Sequence, residues 1–221
     1  MNFLKSKNPI LVAVSGGPDS MFLINKYKVQ NIIAIHVNYN KRETSKRDEE
    51  IVKNYCLKNS IPLRIKNIKE SEHPDKGNFQ DFARNIRYSF FKEIAIEFNA
   101  IEVVTGHHLD DFLETALMQK NSKRQPNFYG IRLKNVIDGL KIRRPLIDLY
   151  FKDEILLYLN KKNIPFGIDE TNNNHIYERN KIRKELSHLT KKEKLLKIKN
   201  FYKLNKKLLK KNTIVKKEFK K

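Results

Sequence analysis

Over residues 9–120 the chain alternates four times between a short apolar run and a segment of helical periodicity. "PILVAVSGG" is a continuous apolar run closed by two glycines, and "DSMFLINKYK" resumes at helical spacing. "NIIAIHVNYN" reads as a second strand. "SKRDEEIVKNYCLKNS" reads as an amphipathic helix with Ile51, Val52, Tyr55 and Cys56 on one side. "IPLRIKNI" is a third strand, followed by a long helix over "NFQDFARNIRYSFFKEIAIEFN" with Phe79, Phe82, Ala83, Ile86, Phe90, Ile94 and Phe98 as its apolar face. "AIEVVTGHH" and "LDDFLETALMQK" complete the series. Strands separated by helices pair in parallel through right-handed crossovers. The expected fold class is therefore α/β, a doubly wound, mostly parallel sheet. Ligands of such sheets bind beyond the carboxyl ends of the strands. "SGGPDS", "HVNYNKR" and "GHHLDD" each follow a strand, so all three fall on that edge.

Beyond Lys120 the pattern changes. "NSKRQPNFYGIRLKN" reads as an exposed loop, a helix starts near Tyr150, and "DETNNNHIYERNKIRKEL" is polar and then helical. From Lys181 onward there are 17 Lys and Arg against 3 Glu, a net of +14 out of +21 for the whole chain. That tail sets Leu195, Ile198, Phe201, Tyr202, Leu208 and Leu209 at helical spacing among lysines. It can pack one face on the body or serve as a basic arm. Such a charge distribution suits a polyanionic partner such as nucleic acid, although Lys is frequent throughout. No apolar run approaches the ~20 residues of a membrane span, and the opening residues lead into the first strand. With a single cysteine, Cys56, an intramolecular disulfide or a cysteine-based metal site is excluded. A cytoplasmic location is the expectation.

The first strand–helix junction is built for an anion. Backbone N–H groups at a helix start point outward, and the helix dipole adds positive potential. Gly16 and Gly17 let the chain approach an anion closely, Ser15 and Ser20 offer hydroxyls, and Pro18 suits the first helical turn. Asp19 would repel a phosphate unless a cation lies between them; a shared Mg2+ resolves the conflict. Neither G-x-x-x-x-G-K-[ST] nor G-x-G-x-x-G is present.

The form S-G-G-x-D-S after a first strand resembles the PP-loop of the N-type ATP pyrophosphatases. Four further stretches, in order, resemble one family of them, the tRNA(Ile)-lysidine synthases. "HVNYNKRETSKRDEE" is similar to H-V-N-H-x-L-R-x-x-S-x-x-D-E, and "DFARNIRYSFF" to E-A-A-R-x-x-R-Y-x-F-F. "TGHHLDDFLETALM" is similar to H-H-x-D-D-Q-x-E-T, and "RRPLIDLYFKDEI…DETNNNHIYERNKIR" to R-P-L…E-I…D-x-[ST]-N…R-N-x-I-R. The likeness runs from Ala13 to about Leu186. Phe112 stands where the family usually has Gln, and the family's L-x-R-G-x-G stretch is nearly absent.

The resemblance implies an ATP-dependent, Mg2+-requiring ligase. It would adenylate the wobble cytidine of the CAU-anticodon isoleucine tRNA at O2, and the side-chain amine of free L-lysine would then attack C2. The products are lysidine, AMP and pyrophosphate. It assigns ATP and pyrophosphate to Ser15, Gly16, Gly17, Asp19 and Ser20, with His36 and Asn38 near the adenosine. It assigns Mg2+ to Asp19 and Asp111, and the chemistry to Asp19, Arg84, His108, Asp111 and Glu114. Arg84 and Arg87, three apart, share a helix face, and one of them suffices for ATP. Asp169, Thr171, Asn172, Arg179, Asn180 and Arg183 fall on the tRNA-facing segment, with Arg179, Asn180 and Arg183 as contacts. The domain expectation is a catalytic domain over 1–186 and a basic helical tail over 187–221 that touches tRNA. Oligomeric state stays open, a homodimer included. Rival readings are another PP-loop enzyme, either tRNA-modifying or amide-forming, and a non-catalytic nucleic-acid-binding relative.

Overall fold

The computed structural model describes residues 8–74, 77–122, 125–168 and 177–218, without the side chains of 177, 178 and 211–218. Six strands form one sheet in the order β3-β2-β1-β4-β6-β5. They are β1 (Ile10–Ala13), β2 (Ile32–Asn38), β3 (Leu63–Asn67), β4 (Glu102–Val104), β5 (Lys134–Ile137) and β6 (Leu140–Arg143). Every pairing is parallel except β5 with β6. The strand order reverses between β1 and β4, which is where a doubly wound sheet opens a crevice for ligands.

Alternation along the strands sends side chains to two cores. Val12, Ala34 and Val104 pack under α1 (Pro18–Tyr27), α2 (Ser45–Lys58) and α5 (Lys152–Lys161). Leu11, Ile33, Ile35 and Val103 pack under α3 (Phe79–Glu97), whose buried residues are Ala83, Phe90, Phe91 and Ile94. A third cluster joins α4 (Leu109–Asn121), α6 (Tyr177–Ser187) and α7 (Lys191–Glu218). Ile198 and Phe201 of α7 are buried in it with Phe112, Leu113 and Ile182. The basic tail thus lays an apolar face on the body over its first turns. Asn205 is buried as well, exchanging two hydrogen bonds with the Tyr129 backbone.

The mostly parallel sheet was legible from the alternation; its far edge was not. The segment after Lys120 contains the β5–β6 hairpin in addition to the expected loop. Its turn residues Asp138 and Gly139 both take positive φ, 49° and 82°, the conformation that Asp-Gly adopts in tight hairpins. The strands have four residues each, and β5 is mostly exposed, so neither shows a buried run. The helix expected near Tyr150 begins at Lys152.

Candidate active site

A cleft of about 380 Å3 opens at the β1/β4 crevice, lined by Ser15, Gly17, Asp19 and Ser20 from the first junction and by Thr105, Gly106, His107 and Asp111 from the fourth. Tyr39, Arg87 and Tyr88 close it on the α3 side.

The loop is shaped by contacts only glycine tolerates. Gly16 sits at φ +87°, and a Cβ there would lie 2.7 Å from the Asp48 carbonyl oxygen. Its own carbonyl accepts from Gly167 N–H at 2.9 Å. Gly106 lets the β4–α4 turn close on α1, where a Cβ would lie 2.9 Å from the Asp19 carbonyl. Ser20 hydroxyl donates to Gly17 carbonyl at 2.9 Å and accepts from Ser15 N–H at 3.0 Å. The serines thus brace the loop as well as facing the cleft. Pro18 occupies the first turn of α1.

An acidic wall is formed where Asp19 of the loop meets Asp110 and Asp111 of α4 around His108. His108 precedes α4, and its backbone N–H donates to Asp111 Oδ2 at 3.0 Å. Its ring is 6 % exposed and lies among three carboxylates. Nε2 is 3.7 Å from Asp19 and 3.4 Å from Asp111, and Nδ1 is 3.5 Å from Asp110. Burial opposes charging this imidazole, yet the surrounding carboxylates prevail and raise its pKa above the ordinary value. His107 behaves oppositely. Burial, joined by nearby Arg144 and Arg87, pushes it down to about 4, and Asp111 only partly offsets this. Asp110 is held down at about 2: burial works against ionisation, but His108, the Lys152 backbone N–H and Lys194 outweigh it.

Two cations reach this wall from distant sequence. Lys152 Nζ lies 2.5 Å from Asp19 Oδ1, and Lys194 Nζ lies 3.2 Å from Asp110 Oδ1. Glu114, 4 % exposed, receives Arg179 Nε at 2.9 Å and Arg183 Nε at 2.8 Å. Residues assigned separately to chemistry and to tRNA contact are therefore one ion cluster joining α4 to α6. Asn180 is half-buried beside them. Asp169, Thr171 and Asn172 lie outside the described residues.

The other predicted residues sit differently. Ile35 and Val37 line the cleft, so the two-residue period of β2 turns His36 and Asn38 to the opposite face. His36 Nδ1 bonds the Val14 carbonyl at 2.8 Å, and Asn38 donates to Glu49 at 2.7 Å. The His36 ring is buried, which lowers its pKa, and Nε2 has no partner among the described atoms. Of the two arginines, Arg87 lines the cleft, while Arg84 is exposed and stacks over Tyr88 at 4.8 Å. Sequence reasoning missed Lys152 and Arg144. The latter is 6 % exposed, donates to the Arg132 carbonyl at 2.9 Å and lies near Tyr88 and His107. A lysine among 46 Lys and Arg carries no signal of its own.

Hard carboxylate oxygens at Asp19 and Asp111, both converging on His108 Nε2, fit Mg2+, which binds through one or two carboxylates and completes its shell with phosphate oxygens and water. No group of three or more candidate metal ligands occurs among the described residues.

Residues 1–190 match the PP-loop domain family. The chain is 49 % identical over 200 residues to the tRNA(Ile)-lysidine synthase of Mycoplasmopsis pulmonis, covering 89 % of this chain and 69 % of that one. The chain belongs to the tRNA(Ile)-lysidine synthase family. To the synthase of Ureaplasma parvum serovar 3 it is 45 % identical, over 82 % of this chain and 55 % of that one. It therefore spans between about half and two-thirds of the length of these curated relatives. Among solved structures, a U34-tRNA thiolase from Methanococcus maripaludis superposes with a TM-score of 0.69 at 20 % identity, over 93 % of this chain and 74 % of that one. That likeness is one of fold. No helix among the described residues is long and apolar enough to cross a membrane.

Proposed function

We propose that the chain catalyses ATP-dependent formation of lysidine on the CAU-anticodon isoleucine tRNA, with free L-lysine as the amine. The observation that carries this reading is the meeting of the PP-loop, Asp19 included, with Asp111 in one cleft at the switch point of the sheet, with His108 buried against both carboxylates. ATP's β and γ phosphates lie in the loop against Ser15, Gly17 and Ser20. Asp19 and Asp111 would hold Mg2+, and the chemistry it would supply is neutralisation of charge on the triphosphate. Cytosine O2 attacks the α-phosphorus, and the bond to the α–β bridging oxygen breaks, releasing pyrophosphate. The lysine ε-amine then adds to C2, loses its proton, and AMP departs with the former O2.

Several residues support these steps directly. His108, lying between the carboxylates, holds Asp19 and Asp111 in place. His107, kept neutral near pH 7 and bonded to Thr105 Oγ1 at 2.9 Å, gives the cleft an uncharged polar group beside the substrates. Arg87 faces the anionic substrates. The exposed lysines of α7, among them Lys192, Lys199 and Lys203, offer phosphate contacts to tRNA.

A sulfur-transfer reading is not favoured. Cys56 is the chain's one cysteine, is 2 % exposed, and burial pushes its thiol up to about 11, far from a reactive thiolate. The test is AMP release from ATP and Mg2+ with and without the tRNA transcript. Release that requires the transcript supports the reading; tRNA-independent cleavage points to another acceptor, and none at all to a binding relative.

A further inference from the structure

Lys152 is tied at both ends to the acidic wall. Its backbone N–H donates to Asp110 Oδ2 at 2.8 Å, and its ammonium lies 2.5 Å from Asp19 Oδ1. The root is fixed at the first position of α5, whose helix packs on α1 through Ile155 and Leu159. Asp19 belongs to the anion-binding junction itself, so its charge must be neutralised whether or not a metal is present. Lys152 and a divalent ion compete for Asp19 Oδ1, since the two cations repel each other. Once displaced, the ammonium stays tethered by its four-carbon stem; Asp110 already holds Lys194 and His108, which leaves the phosphate that accompanies the metal as the anion in want of a cation. Lys194 differs: its ammonium lies on Asp110, away from the loop, and its side chain is 16 % exposed between α7 and the wall.

We propose that Lys152 is an exchange cation: it occupies Asp19 in the metal-free protein and transfers to the pyrophosphate oxygens when Mg2+ takes that carboxylate. This rests on the reading of the loop as the seat of ATP's β and γ phosphates. Lys152 is then a pyrophosphate-binding residue for both the entering nucleotide and the product, and it competes with metal that arrives alone. The loop carboxylate is charge-compensated at every stage.

The test compares the full chain with Lys152→Met, which keeps the apolar stem, and Lys152→Gln, each checked for folding by thermal melting. Titrations use Mg2+ alone, then inorganic pyrophosphate in saturating Mg2+. Both variants should bind Mg2+ alone about threefold or more tighter, because the internal competitor is gone. Both should bind magnesium pyrophosphate about tenfold weaker, the loss of one charge-assisted hydrogen bond. A merely distorted loop would weaken both ligands, so the opposite signs are the signature. If both affinities fall together, or neither moves, while the unaltered chain binds pyrophosphate, the inference is overturned and the reading of the loop stands. If the unaltered chain fails to bind magnesium pyrophosphate, the loop reading falls and this inference falls with it.

Discussion

The two walls of the cleft handle charge in opposite ways. On the acidic wall every carboxylate described above has a cation or N–H group in place, much of it supplied by residues 152–194: Lys152 on Asp19, Lys194 on Asp110, Arg179 and Arg183 on Glu114. On the basic wall Arg87 lies hydrogen-bonded beside Tyr39, and Arg84, outside the cleft, stacks on the wall residue Tyr88. A carboxylate satisfied by an exchangeable ammonium can accept Mg2+ or a substrate amine. A guanidinium whose partner is a neutral tyrosine keeps its charge available for phosphate. The acidic wall is thus pre-organised for cation exchange, and the basic wall for anion capture.

The largest expected effect tests the first half of that contrast. Asp19→Asn should reduce AMP formation about a hundredfold or more, with the melting temperature little lowered, since Asp19 and its partner Lys152 are each about one-third exposed and water screens the pair. A variant with near-normal AMP formation would remove Asp19 from the metal's ligands. Next, Glu114→Ala should lower stability by about 2 kcal/mol in denaturant titrations. That is less than the loss expected for a fully buried pair, because Arg179 and Arg183 are 36 % and 48 % exposed and water screens them once freed. A negligible change would mean that the cluster does not fasten α6 to α4.

The basic wall is sharpened by comparing its two arginines. Arg87→Lys should weaken ATP binding about tenfold, and Arg84→Lys by less, because only Arg87 lines the cleft. The reverse order would restore Arg84 to the position that the sequence assigned to it.

The smallest effect concerns a group outside both walls. His36 is buried on the far face of β2 near Glu49, Asp48 and Lys53, and burial holds its folded pKa below 6.5. The unfolded chain therefore binds the proton more readily. The stability this depressed value confers is present above pH 6.5 and is lost as pH falls below it toward the folded value. His36→Gln should flatten the dependence of melting temperature on pH in that window. An unchanged slope would place the acid sensitivity elsewhere.

How much of this could be read from the chain follows from how local each signal is. The PP-loop is six contiguous residues whose glycines, serines and carboxylate each have a local reason to be there, so it was legible. The sheet was legible because Leu11, Val12, Ile33 and Ile35 are buried on both faces and form continuous runs. The ion pairs on the acidic wall were not, because Glu114 meets Arg179 and Arg183 across 65 and 69 residues, and one strand period decides whether His36 faces the cleft. Phe112 lies between these cases. Its departure from the family's Gln was visible, but its role was not. It is fully buried, with Gly130 held against one side and Tyr202 of α7 packed 4.9 Å away, so it helps to seat the basic helix.

The central claim is that the cleft activates a cytidine for attack by lysine. It is tested most directly by weighing the wobble nucleoside of the CAU-anticodon isoleucine tRNA after incubation with the chain, ATP, Mg2+ and free lysine. The account predicts a nucleoside heavier than cytidine by one lysine less one water, formed only when lysine is present. An unmodified cytidine alongside tRNA-dependent AMP release would contradict it.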